Sequence, residues 1–540
     1  MTDHDPNNAA APPPAPAASS RWWARVGWKI LVLVAVGAAL RMARLGSLPP
    51  ALFRDEAEKL MTAWSLLETG RDLSGNFLPL FINVFGVTTS AIYQYFAVPF
   101  VWLFGPNEWG ARMPAATVGT ITLAVNYLYM KRERGRDVAF WATAFLIMSP
   151  WHLAFSRWAQ QGIFLPLLVA AAMLAWRLFL DGRRWALPLS AACFATAIYA
   201  YDVARVFVPL LMLALVAVYW REVLRRWRET LVAVVVFAAT VAPVAHLMLS
   251  EPEAAQARFR AISIFQPGAS GGQVLSAFLH NYFAHLMPPF LLVFGDAELR
   301  HGSGVGVVTA TEMLAVCVWA FHALRNRRRE DAVWLLWLLL FPVAASLTQV
   351  GVPHALRCIV ALPLIQNMAG AGLSRFLERF RAGLFADASR HTAMLFIIIG
   401  FIPFATSYFV FYSSKSALNW QYGVKQALEE LEPVTDRVDQ VAFYRIVGGE
   451  YLVSAYAKIP PSQIQRSGLG ETKFRMIPFD TDPAAVFARV PPATAVVSLP
   501  ILQPPPGGAS KLIYPHRAQL PVAAIYLTPE LARRLAEAEQ

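Results

Sequence analysis

Apolar residues run through this chain in long blocks, with short polar connections between them, and do not alternate or recur on a single face. A helix needs about 20 mostly apolar residues to cross a bilayer core of about 30 Å. Blocks of that kind lie near residues 27–46, 109–130, 137–153, 162–180, 185–201, 204–221, 230–249, 307–325, 331–348, 355–374 and 392–412. They predict about eleven membrane-spanning helices. Residues 90–104 and 274–294 are also apolar, but Pro99, Pro288 and Pro289 interrupt them, and both fall on the outer side of the alternation. They are expected as helices lying in the membrane interface.

The pattern changes after Tyr412. Helical spacing at 417–431 and 529–539, with strand-like runs at 440–447 and 523–527, predicts a small α/β domain over 413–540, outside the membrane. The first twenty residues are rich in Ala and Pro, and 1–26 is expected as a disordered cytoplasmic tail. It does not read as a signal peptide, because no small-residue cleavage site follows the first apolar block. The expected fold class is therefore mainly α: a polytopic transmembrane helical bundle over 27–412, with interfacial helices and a small C-terminal α/β domain.

Composition supports this reading. Of 540 residues, 56% are hydrophobic and 15% charged, against about 25% charged in ordinary soluble domains. A water-soluble enzyme, a disordered chain, a collagen and a coiled coil are excluded. Cys193, Cys317 and Cys358 all lie in apolar stretches, so neither a disulfide framework nor a CxxC metal pair is present. The net charge of +12 suggests nucleic acid until its placement is considered. Basic clusters occupy 131–136, 183–184, 221–228, 325–329 and 375–381, each two spans from the next. By the positive-inside rule these loops face the cytoplasm, as do Arg21, Arg25 and Lys29. The N-terminus is then inside and the C-terminus outside, with outer loops at 47–108 and 250–306. Arg41 and Arg44 oppose this assignment and are outvoted by the five loops. The Ala/Arg-rich composition suits a bacterial plasma membrane protein.

The chemistry collects on the outer face. Arg54, Asp55, Glu56 and Glu58 follow the first span and its Leu48-Pro49-Pro50 break. Carboxylates at the mouth of a span are costly to desolvate. They read either as charges at a helix N-terminus or as a catalytic base, Asp55, with Glu56 supporting it. Arginines stand at the outer ends of spans: Arg112, Arg157, Arg205 and Arg357. Each has a plain alternative. Glu108 and Arg112 are spaced for a helix ion pair, Asp202 is placed to neutralise Arg205, and any of the four can snorkel to headgroups. Together on one face they suit a phosphate. Pro353 is placed to open a helix, so that His354 and Arg357 would crown an anion-binding N-terminus. Trp151, His152 and Tyr201 accompany Arg157 and Arg205. A polar turn carries Asp296, Glu298, Arg300 and His301. A metal site combining His280, His285 and His301 with Asp55 or Glu56 is conceivable, but no HxxxH or HExxH spacing supports it, and interfacial hydrogen-bonded histidines are the alternative.

These residues in this order resemble the polyprenyl-phosphate-dependent glycosyltransferases of the GT-C superfamily, whose kin include the protein O-mannosyltransferases and the lipid A aminoarabinose transferases. The resemblance rests on Arg41, Arg44-Leu45-Gly46 and Leu48-Pro49-Pro50 leading into Asp55-Glu56-Ala57. It continues through Phe104-Gly105-Pro106-Asn107-Glu108, Ala111-Arg112-Met113-Pro114, Ser149-Pro150-Trp151-His152, Ser156-Arg157, Gly295-Asp296, Arg300-His301 and Pro353-His354-Ala355-Leu356-Arg357. It covers roughly residues 27–375. It implies that Asp55 is the catalytic residue, that Arg112 is functionally important, and that the donor is a polyprenyl-phosphate sugar. The acceptor would be a protein, lipid or glycan hydroxyl or phosphate. No fungal-type luminal insert is evident in 413–540, which weighs against protein O-mannosylation. Some members of the superfamily use a divalent cation and others do not. The rival classes are a flippase or transporter of polyprenyl-linked sugars and an O-antigen ligase-like enzyme. The first would show a two-half repeat or a mid-membrane charge pair; the second would lack the early Asp-Glu base.

Overall fold

A computed structural model describes residues 27–380, 385–516 and 518–539. The expected tail at 1–26 lies outside them. Each of the eleven apolar blocks contains a helix, among them Trp28–Met42, Glu108–Glu133, Arg136–Ile147, Phe164–Leu180, Ala186–Ala200, Ala204–Val218 and Trp227–Ser250. Ala310–Asn326, Arg329–Leu340, Leu364–Leu377 and Phe385–Thr406 follow. Among the described residues, Gln161–Leu180, Trp227–Ser250 and Asp387–Ser416 are long and apolar enough to cross a membrane by length and composition. The other blocks are shorter helices or carry more polar residues. The two proline-interrupted stretches are helical as well, at Ile92–Phe104 and Gly271–Ala284.

The bundle packs through small residues. A Cβ on Gly370 would fall 2.4 Å from the backbone nitrogen of Ala142, and one on Gly372 would strike the Ala315 carbonyl. These glycines let the helix Leu364–Leu377 lie against Arg136–Ile147 and Ala310–Asn326. Small residues at such contacts are how apolar helices approach closely where lipid offers no hydrophobic contrast.

The helix that the carboxylates at Asp55 and Glu56 suggest is present at Arg54–Thr69 and is largely buried; the hairpin that follows it, formed by β1 (Phe81–Val84) and β2 (Val87–Ser90), has no counterpart in the sequence reading. Its two-residue turn places both Phe85 (φ 52°) and Gly86 (φ 77°) in the left-handed region, as tight hairpin turns of this length require.

The C-terminal domain is built on a five-stranded sheet of β3 (Gln440–Tyr444), β4 (Phe474–Ile477), β5 (Thr494–Ser498), β6 (Ala509–Ile513) and β7 (Ala523–Leu527), in the order β4-β3-β5-β7-β6. β3 runs parallel to β4 and β5; β7 is antiparallel to β5 and β6. Helices Tyr422–Leu431, Gly449–Tyr456 and Pro529–Glu539 complete it. The domain is fastened onto the segment 47–108 that follows the first helix. The Leu52 amide donates to Tyr456 Oη (2.6 Å), the Arg54 amide to Gln421 Oε1 (3.0 Å), and Lys425 Nζ pairs with Glu108 (2.7 Å). Glu108 is thus taken by the C-terminal domain and not by Arg112, four residues along its own helix.

Candidate active site

The last turn of the first helix and the irregular segment between it and Arg54 leave carbonyls that need donors from elsewhere. Two arginines supply them. Arg157, with no exposure to solvent, donates to the carbonyls of Leu40, Arg41, Ala43 and Leu48 at 2.6–3.1 Å. Arg112, equally buried, donates to those of Leu45, Pro49 and Ala51 at 2.6–3.1 Å. Arg112 also grips Glu56 at two points, Nε to Oε1 (3.0 Å) and Nη2 to Oε2 (2.8 Å). Glu56 in turn accepts the amides of Ala159 (2.8 Å) and Phe53 (3.3 Å), the latter closing the first turn of helix Arg54–Thr69. Asp55 therefore sits at the start of a helix whose entry is clamped by ionic and carbonyl contacts.

This geometry places several of the expected site residues elsewhere. Arg112 and Arg157 are fully buried, line neither the cavity at Asp55 nor the cleft toward the C-terminal domain, and direct their terminal guanidinium nitrogens into the chain that leads to Asp55. Glu56 has no free oxygen with which to assist Asp55 or bind a metal. Arg357 is also withdrawn, donating to Thr348 Oγ1 (2.7 Å) and the Val350 carbonyl (2.5 Å). No helix begins at Pro353. The His354 amide donates to His285 Nε2 (3.0 Å) and the Ala355 amide to Asp296 Oδ2 (2.8 Å), so the N–H groups expected to bind an anion are spent within the protein. Arg41, the anomaly in the charge count, is buried, bonding the Gly37 carbonyl (2.9 Å) and lying 2.7 Å from His152 Nδ1. Trp151 is buried too, donating to the Ala355 carbonyl (3.1 Å). Trp151 and His152 are packing and anchoring residues.

What remains gathers around one cavity of about 250 Å³, bounded by Asp55, Tyr201, Arg205, Arg300, His301 and His354. Arg54, Glu58 and Asp202 line it too; the sequence reading missed Lys59, Gln160, Gln161, Arg258 and the hairpin residues Thr88–Ser90. Asp55 keeps a 30% exposed side chain and meets Arg54 Nε at 3.4 Å. Arg205 pairs with Asp202 at 3.0 Å, as expected, and its Nε is buried without a partner. Arg258 has no carboxylate partner among the described residues. The buried amide oxygens of Gln160 and Gln161 and the indole nitrogen of Trp158 are likewise unpaired. A buried polar group without a partner costs about 1–3 kcal/mol. Several around one cavity mark a place where a ligand completes the bonding.

Electrostatics divides the groups in and beside this wall. Burial would raise Glu298, but the hydrogen bond and charge of Arg300, with Asn419, pull it down to about 2. Burial raises Glu58 against the opposing effects of Lys59, Gln94 and Thr62. Burial lowers His285 to about 4 and, reinforced by His301 and Arg357, pushes His354 well below the ordinary imidazole range. A second cleft, about 340 Å³, lies between Phe53, Arg54 and Arg300 on one side and Gln421 and Arg445 of the C-terminal domain on the other. Arg54 and Arg300 border both spaces.

The fold is of the GT-C type. The structure is similar to that of ArnT from Cupriavidus metallidurans, in the apo state (TM-score 0.57) and bound to undecaprenyl phosphate (TM-score 0.58). Each comparison shows 14% identity and covers 94% of this chain and 99% of the other. The oligosaccharyltransferase of Archaeoglobus fulgidus, in complex with Zn and sulfate, is similar at TM-score 0.50 and 10% identity, covering 87% of this chain and 67% of that one. Residues 89–246 match the model of the family described as dolichyl-phosphate-mannose-protein mannosyltransferase. No curated protein matches the chain by sequence. The neighbours in family and in structure are glycosyltransferases, and the resemblance is to their PMT- and ArnT-like branch.

Proposed function

We propose that this protein transfers a sugar from a polyprenyl-phosphate donor to an acceptor hydroxyl or phosphate at the outer face of a bacterial plasma membrane. The observation that carries the reading is the single cavity that joins the Asp55 carboxylate to Lys59, Arg205, Arg258 and Arg300. A lipid-linked donor has an apolar tail for the bundle and a phosphate for these cations. Guanidinium groups bind phosphate oxygens in a planar, two-point manner.

Asp55 accepts the proton of the acceptor oxygen as that oxygen attacks the anomeric carbon. The bond from the anomeric carbon to the phosphate oxygen breaks, and the polyprenyl phosphate leaves with the electron pair. The cations stabilise the charge it keeps, which requires no reorganisation when they are already in place. One displacement inverts the anomeric centre. The clamp made by Glu56, Arg112 and Arg157 holds the base in position, and the cleft toward Gln421 and Arg445 suits the approach of the acceptor.

The test is Asp55→Asn, assayed with membranes and a polyprenyl-phosphate sugar. Loss of transfer by roughly 10²–10⁴-fold, with thermal stability and donor binding kept, is expected. Transfer at the unaltered rate would overturn the assignment.

A further inference from the structure

Asp296 and His301 lie in one loop and His354 in another, yet one donor atom of each falls within 4.8 Å of the other two. His301 Nδ1 is 2.7 Å and His354 Nδ1 3.8 Å from Asp296 Oδ2. Ligand bonds of about 2.0–2.2 Å in a tetrahedral site place donor atoms roughly 3.3–3.5 Å apart, and the two observed separations bracket that range. From this geometry we infer that Asp296, His301 and His354 form a site for a zinc-class divalent cation, in the wall of the cavity that Asp55 shares.

The site is built before any ion arrives. Asp296 is nearly closed to solvent and fixed by the Glu298 amide at Oδ1 (2.9 Å) and the Ala355 amide at Oδ2 (2.8 Å). The His301 ring lies nearly parallel to those of Phe155 and Trp158, at 5.8 and 5.5 Å, and 4.5 Å from that of His354. Outer contacts that orient the ligands in this way accompany metal centres generally. A hydrogen bond between Asp296 and His301 explains one imidazole and leaves the second without a purpose. His354 Nδ1 has only a 3.4 Å approach from the Arg357 amide.

Both imidazoles border the cavity and the carboxylate stands behind them, so a three-ligand ion keeps its open position toward the cavity. Of the neighbouring cations, Arg54, Arg205 and Arg300 are each held by a carboxylate, which lessens their repulsion of the ion, whereas Arg258 and Arg357 act on His354 without one among the described residues and oppose it. This set is not the one the sequence suggests. Glu56 is spent on Arg112, His280 is exposed on the outward helix, and His285 has Nδ1 2.6 Å from the Asn281 carbonyl and Nε2 accepting the His354 amide. Binding of the ion stands on this geometry alone. Its coordination of an anionic oxygen of the donor rests on the transfer reading.

The experiment uses the full-length protein in detergent, stripped with chelator and titrated with Zn²⁺, and separately with Co²⁺, whose absorption reports tetrahedral ligation. One equivalent per chain and a tetrahedral Co²⁺ spectrum are expected. His301→Ala and His354→Ala should each weaken binding roughly tenfold or more, with His280→Ala unchanged. Asp55→Asn should bind as the unaltered protein does, so a failure of the transfer assignment leaves this result readable. Absence of stoichiometric binding, or equal binding by the His301→Ala, His354→Ala double variant, overturns the site. Should either single variant fail to fold, the spectrum and stoichiometry of the unaltered protein still decide.

Discussion

Glu56 and Arg112 form a two-point ion pair at 3.0 and 2.8 Å that is closed to solvent on both sides. Removing one partner of such a pair leaves a buried charge uncompensated, typically at about 3–5 kcal/mol. Glu56→Gln and Arg112→Met should each lower the thermal unfolding temperature in detergent sharply. The double variant should lose less than the sum of the two. Donor affinity of the folded fraction should stay unchanged, because neither side chain faces the cavity. Additive losses would contradict the pairing.

Arg157 serves the same loop from the other side. Arg157→Ala strands four carbonyls, those of Leu40, Arg41, Ala43 and Leu48, at about 1–3 kcal/mol for each that finds no water. Reduced yield and lower thermal stability are expected. Where protein is recovered, kcat should fall more than donor affinity, because the residue displaced is Asp55.

Arg205 and Arg258 behave differently if they hold phosphate. Hydrogen bonds to charged groups contribute about 1.5–3 kcal/mol, so Arg205→Ala and Arg258→Ala should each raise the donor KM on the order of 10–100-fold. Stability should change little, since both are at least partly exposed. Measurement of KM and kcat with varied donor separates this outcome from that of the loop arginines.

Glu58 supplies a pH-dependent signature. Burial raises its pKa in the folded protein above the unfolded value, the Lys59 charge opposing. The folded state therefore binds the proton more tightly, and stability is greatest below the unfolded pKa and falls as pH rises through the folded one. Glu58→Gln removes that slope. Melting temperatures across pH should show the variant gaining on the unaltered protein as the medium becomes more alkaline.

Much of this molecule is legible in residue order. Blocks of apolar residues specify helices wherever they occur, because every backbone polar group in lipid must be satisfied within its own segment. Each of the eleven blocks contains a helix, and the strand expected at 523–527 appears as β7 with those bounds. The shift after Tyr412 also announced a separate sheet domain. Asp55, Tyr201, Arg205, Arg300, His301 and His354 were named from sequence, and they do border one cavity.

Partnership was not legible. Arg112 and Arg157 look in sequence like Arg205: a guanidinium near the end of an apolar block beside aromatic residues. What separates them is where the chain from Leu40 to Phe53 passes, and no local pattern encodes that. Its unpaired carbonyls draw in two guanidinium groups and leave the others at the cavity. Likewise Asp296, His301 and His354 have no motif spacing, because two loops far apart in the chain supply them. Local preference and solvent contrast act over a few residues and are written in their order. The assignment of a charge to a carbonyl, a carboxylate or an open cavity is decided by neighbours that only packing brings together.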